Sequence, residues 1–239
     1  MHMTTDIYSS SAVDLVIFTV ADLSSIRDKV WDTDLISPAD KAVLGDSGLG
    51  LFTVTVPADI SLYPALEGKR VLPGGYLSAS ETLAQAAHRI AGERLGLSLK
   101  NKIRQVGTFD APLRDPNGRV LSFAYWAMVD FEDIRKYLGG RERIGLELVN
   151  SQQFMNRFES ETGPLDEFDG VCRFGNRTMP SLNRGHYKTL TDRLPGGRIL
   201  GLDHDEMVFY AWRALRHAFD ARLDPFRYLG INPLGEEFR

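Results

Sequence analysis

Residues 75–97, GYLSASETLAQAAHRIAGERLGL, hold the side chains whose types and spacing could do chemistry. Thr82 and Gln85 form a capping-box pair and Gly96 is a stop, so a helix is expected from Leu83 to about Leu95. Residues 90, 93 and 94 stand at spacing 0, 3 and 4 on it and share one face. That face offers a carboxylate (Glu93), an aliphatic group (Ile90) and a guanidinium (Arg94). A carboxylate suits Mg²⁺, a hard cation that takes oxygen ligands and bridges to phosphates. A metal held by a carboxylate can also activate a water for hydrolysis. Ile90 cannot ligate such a cation, and Arg94 would repel it and contact a phosphate directly. Metal-assisted hydrolysis and metal-free phosphate binding are thus the two chemistries in competition, with Glu93 the candidate catalytic and metal-binding residue.

The elements that must hold this helix are legible on both sides. Ala86, Ala87 and Ala91 give it a small-residue face for close packing on a sheet. Residues Ala12–Val20 read as a buried strand rich in β-branched and aromatic residues, and Leu49–Pro57 as a second. Arg70–Leu72 leads into Pro73-Gly74-Gly75, where glycine's tolerance of positive φ is expected to turn the chain sharply. Ser78 followed by Glu81 is a competing helix cap. Gln105–Phe109 and Val120–Val129 read as an antiparallel hairpin around a loop with a Pro116-Asn117-Gly118 turn. Leu146–Val149 offers a further strand, and Asp203 with Glu206 starts a helix through MVFYAWRALRHAF. In that helix Met207, Ala211, Ala214 and Ala218 share a face with Tyr210 and Leu215. The stretch 22–47 reads as polar and irregular, with a helix start at Ser37-Pro38, and 151–197 reads as a loop-rich insertion.

The stretch 75–97 resembles the Nudix box, G-x5-E-x7-R-E-U-x-E-E-x-G-U with U apolar. Gly75, Glu81, Arg89, Ala91, Glu93, Gly96 and Leu97 match it, while Ile90 and Arg94 replace two glutamates that serve as metal ligands in active members. The resemblance implies an α/β fold, the Nudix α/β/α sandwich with a mixed sheet, here with a C-terminal helical extension. It also implies a structural role for Gly75, Glu81, Arg89 and Gly96, with Glu81 and Arg89 tying the loop to the helix. The hairpin TFDAPLRDPNGRVLSFAYWAMV, residues 108–129, is similar to that of ADP-ribose-type Nudix proteins. It is most similar to the Nudix-like effector domain of Nudix-related transcriptional regulators of NAD metabolism. LGLDHDEMVFYAWRALR, residues 200–216, resembles the helix before their DNA-binding winged helix, and Pro233–Arg239 resembles that domain's opening. The expected division is a Nudix-like domain over 10–202, then over 203–239 a C-terminal helix and the start of a missing or truncated DNA-binding domain.

An ADP-ribose site requires aromatic or apolar walls for adenine and cationic donors for the pyrophosphate. Arg70, Arg94, Arg114 and Arg119 are the candidate cations, and Phe109 and Tyr125 the candidate aromatic contacts. Phe123 and Tyr125 point to one side of their strand and Trp126 to the other. Asp110 and Asp115 are further carboxylates near the hairpin loop.

Composition sets the outer bounds. The 239 residues are 43% hydrophobic and 25% charged, ordinary for a globular protein. A net charge of −4 supplies no overall attraction to nucleic acid. One cysteine, Cys172, excludes an internal disulfide and fits a reducing cytoplasm. The N-terminus lacks the basic start and apolar core of a secretory signal, and no apolar run approaches a membrane span. His88, beside Arg89, reads as a surface or packing residue. The expectation is a cytoplasmic homodimer that binds ADP-ribose or a related nucleoside diphosphate derivative as the effector domain of a regulator with impaired catalysis. Mg²⁺ is not expected to be tightly bound, no membrane is expected as a partner, and DNA is a partner only if a winged helix follows. The alternative is a Mg²⁺-dependent Nudix pyrophosphohydrolase resembling ADP-ribose pyrophosphatase, with loop carboxylates replacing the missing ligands.

Overall fold

The run Val13–Phe18 is buried at every position, which requires a strand covered on both faces. In the computed structural model, which describes residues 10–22, 49–99, 103–112, 114–138, 144–149 and 200–220, this run forms the middle of β1 (Ser10–Asp22). β1 pairs antiparallel with β2 (Leu49–Pro57) through its second half. Through its first half it pairs antiparallel with β4 (Gly74–Tyr76). On its other edge it runs parallel to β6 (Val120–Met128), which pairs antiparallel with β5 (Arg104–Phe109). β3 (Arg70–Val71) and β7 (Gly145–Leu148) both join β2 antiparallel, so that seven strands among the described residues form a mixed sheet.

Helices cover both faces. α1 (Leu83–Leu95) is capped at Thr82 with Gln85 reciprocating, and its last turn closes on Gly96 at φ 65°. It lays Ala86, Ala87, Ile90, Ala91 and Leu95 on Val13, Leu15, Ile17, Tyr125 and Ala127. The short α2 (Phe131–Arg135) adds Phe131 and Ile134 to that core. α3 (His204–Asp220) packs Met207, Val208, Phe209, Tyr210, Ala211, Ala214 and Leu215 on the opposite face, against Val16, Phe18, Phe109, Ala124, Trp126 and Met128. The expected stripe on α3 is therefore widened by Val208 and Phe209, while Ala218 is half-buried. Strand alternation sends Tyr125 to the α1 side and Trp126 to the α3 side, as their spacing requires. The part of 203–239 described here thus shares one core with the residues before it.

One local expectation needs correction. Pro73-Gly74-Gly75 uses no positive φ; the chain passes directly from β3 into β4. Glycine is needed at 74 because β4 lies against β1, and a Cβ there would collide with the Asp14 carboxylate. Ser78 and Glu81 make half of the competing cap: the Ser78 N–H donates to Glu81 Oε1 at 2.8 Å, inside the loop before α1. Among the described residues no helix is long and apolar enough to cross a membrane. The polar stretch at 22–47 beyond Asp22, the insertion at 151–197, Cys172 and the tail after 220 lie outside the described residues.

Candidate functional site

β1 is shared between β4 on its first half and β2 on its second, so the sheet divides where β2 and β4 part. A cavity of about 430 Å³ opens there. Val56, Ala58, Leu62, Val71, Leu72 and Val120 supply apolar wall, and Tyr63 and Tyr76 supply aromatic wall. Arg89, Ile90, Glu93 and Arg94 line it from α1, while Asp14, Arg114, Asp115 and His204 line its buried end.

The box loop is fixed by Arg89. Its guanidinium donates to Glu81 Oε2 at 2.9 Å and Oε1 at 2.7 Å, to Glu93 Oε2 at 3.0 Å and to the Tyr76 carbonyl at 3.0 Å. Hydrogen bonds from Arg89, then from the Ser78 N–H, hold the Glu81 carboxyl at about 2, against an ordinary 4.5. Glu81 in turn raises the Arg89 pKa above its ordinary value.

The α1 face toward the cavity is poor in metal ligands. Ile90 is 1% exposed and packs against Gly75. Glu93 lines the cavity with its side chain 60% exposed, but one of its oxygens is bonded to Arg89. Arg94 also lines the cavity, and among the described residues it enters no hydrogen bond or ion pair within bonding distance. The nearby Asp59 carboxyl is held below its ordinary value chiefly by the Ser61 hydroxyl, at 2.6 Å, with Arg94 adding a smaller attraction. No group of three or more His, Cys, Asp or Glu among the described residues could hold a metal ion. A Mg²⁺ site needs several hard oxygen ligands, and one carboxylate flanked by two guanidinium groups does not fit it.

The other candidates lie as follows. Arg114 reaches the buried end but is bound through Nε and Nη2 to both carboxylate oxygens of Asp203, at 2.7 and 2.6 Å. Burial would lower its pKa, but Asp203, with smaller attractions from Asp14 and Asp115, raises it overall. Arg70 does not line the cavity. It donates to Thr55 Oγ1 and to the Thr55 carbonyl, both at 2.7 Å, and stands 3.9 Å from Glu147. Burial lowers the Arg70 pKa and raises that of Glu147. Arg119 donates to the Asp110 carbonyl and supports the hairpin loop. Phe109 is buried against Tyr210, and Tyr125 is buried on the α1 side, where burial raises its pKa. Of the residues singled out as ligand contacts, the structure brings Arg94 and Arg114 to the cavity, alongside Glu93, Gly75 and Arg89.

Four cavity residues escaped the sequence reading. Tyr63 donates to Asp115 Oδ2 at 2.8 Å, and burial followed by that bond raises its pKa. Tyr76 is 48% exposed at the mouth. Asp14 and His204 stand 3.7 Å apart, carboxylate Oδ1 to imidazole Nε2. A polar residue inside the otherwise apolar run VDLVIF was the available signal for Asp14.

No family model matches the chain, and no curated protein does at a significant level. Solved structures do. A mutT/nudix family protein from Listeria innocua superposes with a TM-score of 0.54 at 20% identity, over 89% of this chain and 97% of that one. A MutT/nudix family protein from Enterococcus faecalis gives 0.54 at 15% identity, over 96% and 71%.

The chain has the Nudix fold.

NrtR of Shewanella oneidensis also matches, with a TM-score of 0.49 at 17% identity, over 87% of this chain and 63% of NrtR. Residues 75–97, which resemble the Nudix box, form a loop and α1, and Ile90 and Arg94 stand where that box carries glutamates.

Proposed function

We propose that this Nudix-fold chain binds ADP-ribose or a related nucleoside diphosphate derivative in the cavity without a metal, and hydrolyses it slowly or not at all. In this reading it is the effector domain of a cytoplasmic, homodimeric transcriptional regulator of NAD metabolism. The observation that carries the reading is Arg94: a cavity-lining guanidinium with no bonded partner among the described residues, on the helix face where hydrolysis would need carboxylates. A diphosphate bound without metal must be neutralised by such groups. Tyr63 and Tyr76 offer the aromatic surface for a base, replacing the buried Phe109 and Tyr125 in that role. The regulator assignment rests on the resemblance of residues 108–129 and 200–216.

ADP-ribose is expected to raise the melting temperature equally with and without Mg²⁺, since a ligand that binds only the native state stabilises it by mass action. Arg94→Ala is expected to weaken calorimetric affinity about tenfold, the worth of a charged hydrogen bond. Arg216→Ala, which alters a cation stacked over Trp212 outside the cavity, should leave it unchanged. Turnover of about one per second or faster with Mg²⁺, abolished by Glu93→Gln, would instead establish the hydrolase.

A further inference from the structure

The buried end of the cavity has a chemistry of its own. Among the described residues, Asp14, Asp115 and Asp203 bring three carboxyl groups there, beside the guanidinium of Arg114. Most of these groups are already paired. Arg114 holds both oxygens of Asp203. Asp115 accepts from the Tyr63 hydroxyl and from the Asn117 N–H, each at 2.8 Å. Asp14 is paired on one side only: Oδ2 accepts from the Ser122 hydroxyl, and Oδ1 accepts no hydrogen bond among the described residues. Asp14 is 7% exposed and lines the cavity.

Oδ1 is held in place from two sides. The Gly74 backbone presses against it so closely that any Cβ would displace it. His204 faces it at 3.7 Å, and the ring's orientation is set by the Leu72 N–H, which donates to Nδ1 at 2.9 Å. The accepting Nδ1 carries no proton, so the neutral ring carries it on Nε2, toward Asp14. A carboxylate oxygen that no protein donor reaches is open to a donor on a ligand. Phosphate, an acceptor and an anion, would be repelled at this end, and a neutral hydrogen-bond donor would be drawn to it.

Building on the reading of the previous subsection, we propose that the ligand lies with its diphosphate toward Arg94 and a hydroxylated sugar at the buried end, where Asp14 Oδ1 accepts from the sugar hydroxyls. Asp14 is then the residue that distinguishes a nucleoside diphosphate sugar from the bare nucleoside diphosphate.

The test is a calorimetric comparison of ADP-ribose and ADP against the wild type, Asp14→Ala and Asp14→Asn. The wild type should prefer ADP-ribose. Asp14→Ala should weaken ADP-ribose about tenfold or more while changing ADP by less than about twofold, on the scale of a lost charged hydrogen bond. Retained ADP binding also certifies that the variant is folded. Should Asp14→Ala not fold, the isosteric Asp14→Asn keeps the shape and is expected to narrow the preference in the same direction. A preference that survives both substitutions, or a wild type that binds the two ligands equally, overturns the inference and leaves the nucleotide-binding reading standing. A wild type that binds neither at millimolar concentration removes that reading, and this inference with it.

Discussion

Arginine is the residue type whose role in this chain depends most on where the fold puts it. In the sequence, Arg70, Arg94, Arg114 and Arg119 look alike, as cations beside loops or in the box. In the structure Arg70 and Arg119 donate to backbone carbonyls, Arg114 is spent on Asp203, and Arg94 stands at the cavity. The difference was not legible because each partner is fixed by tertiary structure; Asp203 lies 89 residues from Arg114. The Glu81–Arg89 pair was legible, because it lies within one contiguous motif. Its pH dependence follows from the same geometry. Hydrogen bonds from Arg89, then from the Ser78 N–H, depress the Glu81 carboxyl from 4.5 to about 2, so the folded state favours the ionised form. That contribution is fully present above the unfolded value of 4.5 and is lost as pH falls through about 2. Paired melting curves of the wild type and Glu81→Gln should therefore differ most above pH 4.5 and converge as pH falls toward 2. A gap that stays constant across this window would mean that the ion pair does not support the fold.

At the scale of the element, α1 was readable to the residue, because its start and stop are written locally in Thr82, Gln85 and Gly96. Gly96 serves two purposes that a side chain would defeat. Its φ of 65° belongs to the left-handed region, and a Cβ there would stand 2.6 Å from the Tyr137 ring, whose hydroxyl donates to the Gly96 carbonyl. Gly96→Ala should cost about 1–2 kcal/mol in denaturant unfolding from the left-handed backbone alone, with the ring contact adding to it. Thr82→Ala, at the other end, should cost about 1 kcal/mol. The Pro73-Gly74-Gly75 segment was misread because glycine has two uses, and the sequence does not say which one applies. There the requirement is close approach to Asp14, which exists only once β4 has paired with β1.

At the scale of the molecule, the single strands and helices were legible from their patterns and the sandwich from the resemblance to the Nudix box, but the way α3 integrates with it was not. The family resemblance suggested a helix leading out of the domain, and an outward helix and a core helix carry similar patterns. Val208 and Phe209 decide it: both are fully buried in the same core as Val16, Phe18 and Trp126. Phe209→Ala should therefore cost about 3–5 kcal/mol in global unfolding, as for a large ring removed from a packed interior. A change within about 0.5 kcal/mol, typical of a surface site, would mean that α3 is an appendage. The position of β1 has a consequence for the birth of the protein. It leaves the ribosome before the other described strands, and its long parallel partner β6 begins about 100 residues later. At ~5–20 residues per second, the nascent chain carries the apolar run Val13–Phe18 with one edge open for on the order of 5–20 s. An open apolar edge is a template for pairing with other strands, so the interval before β6 emerges is the one in which β1 is most exposed to association with another chain.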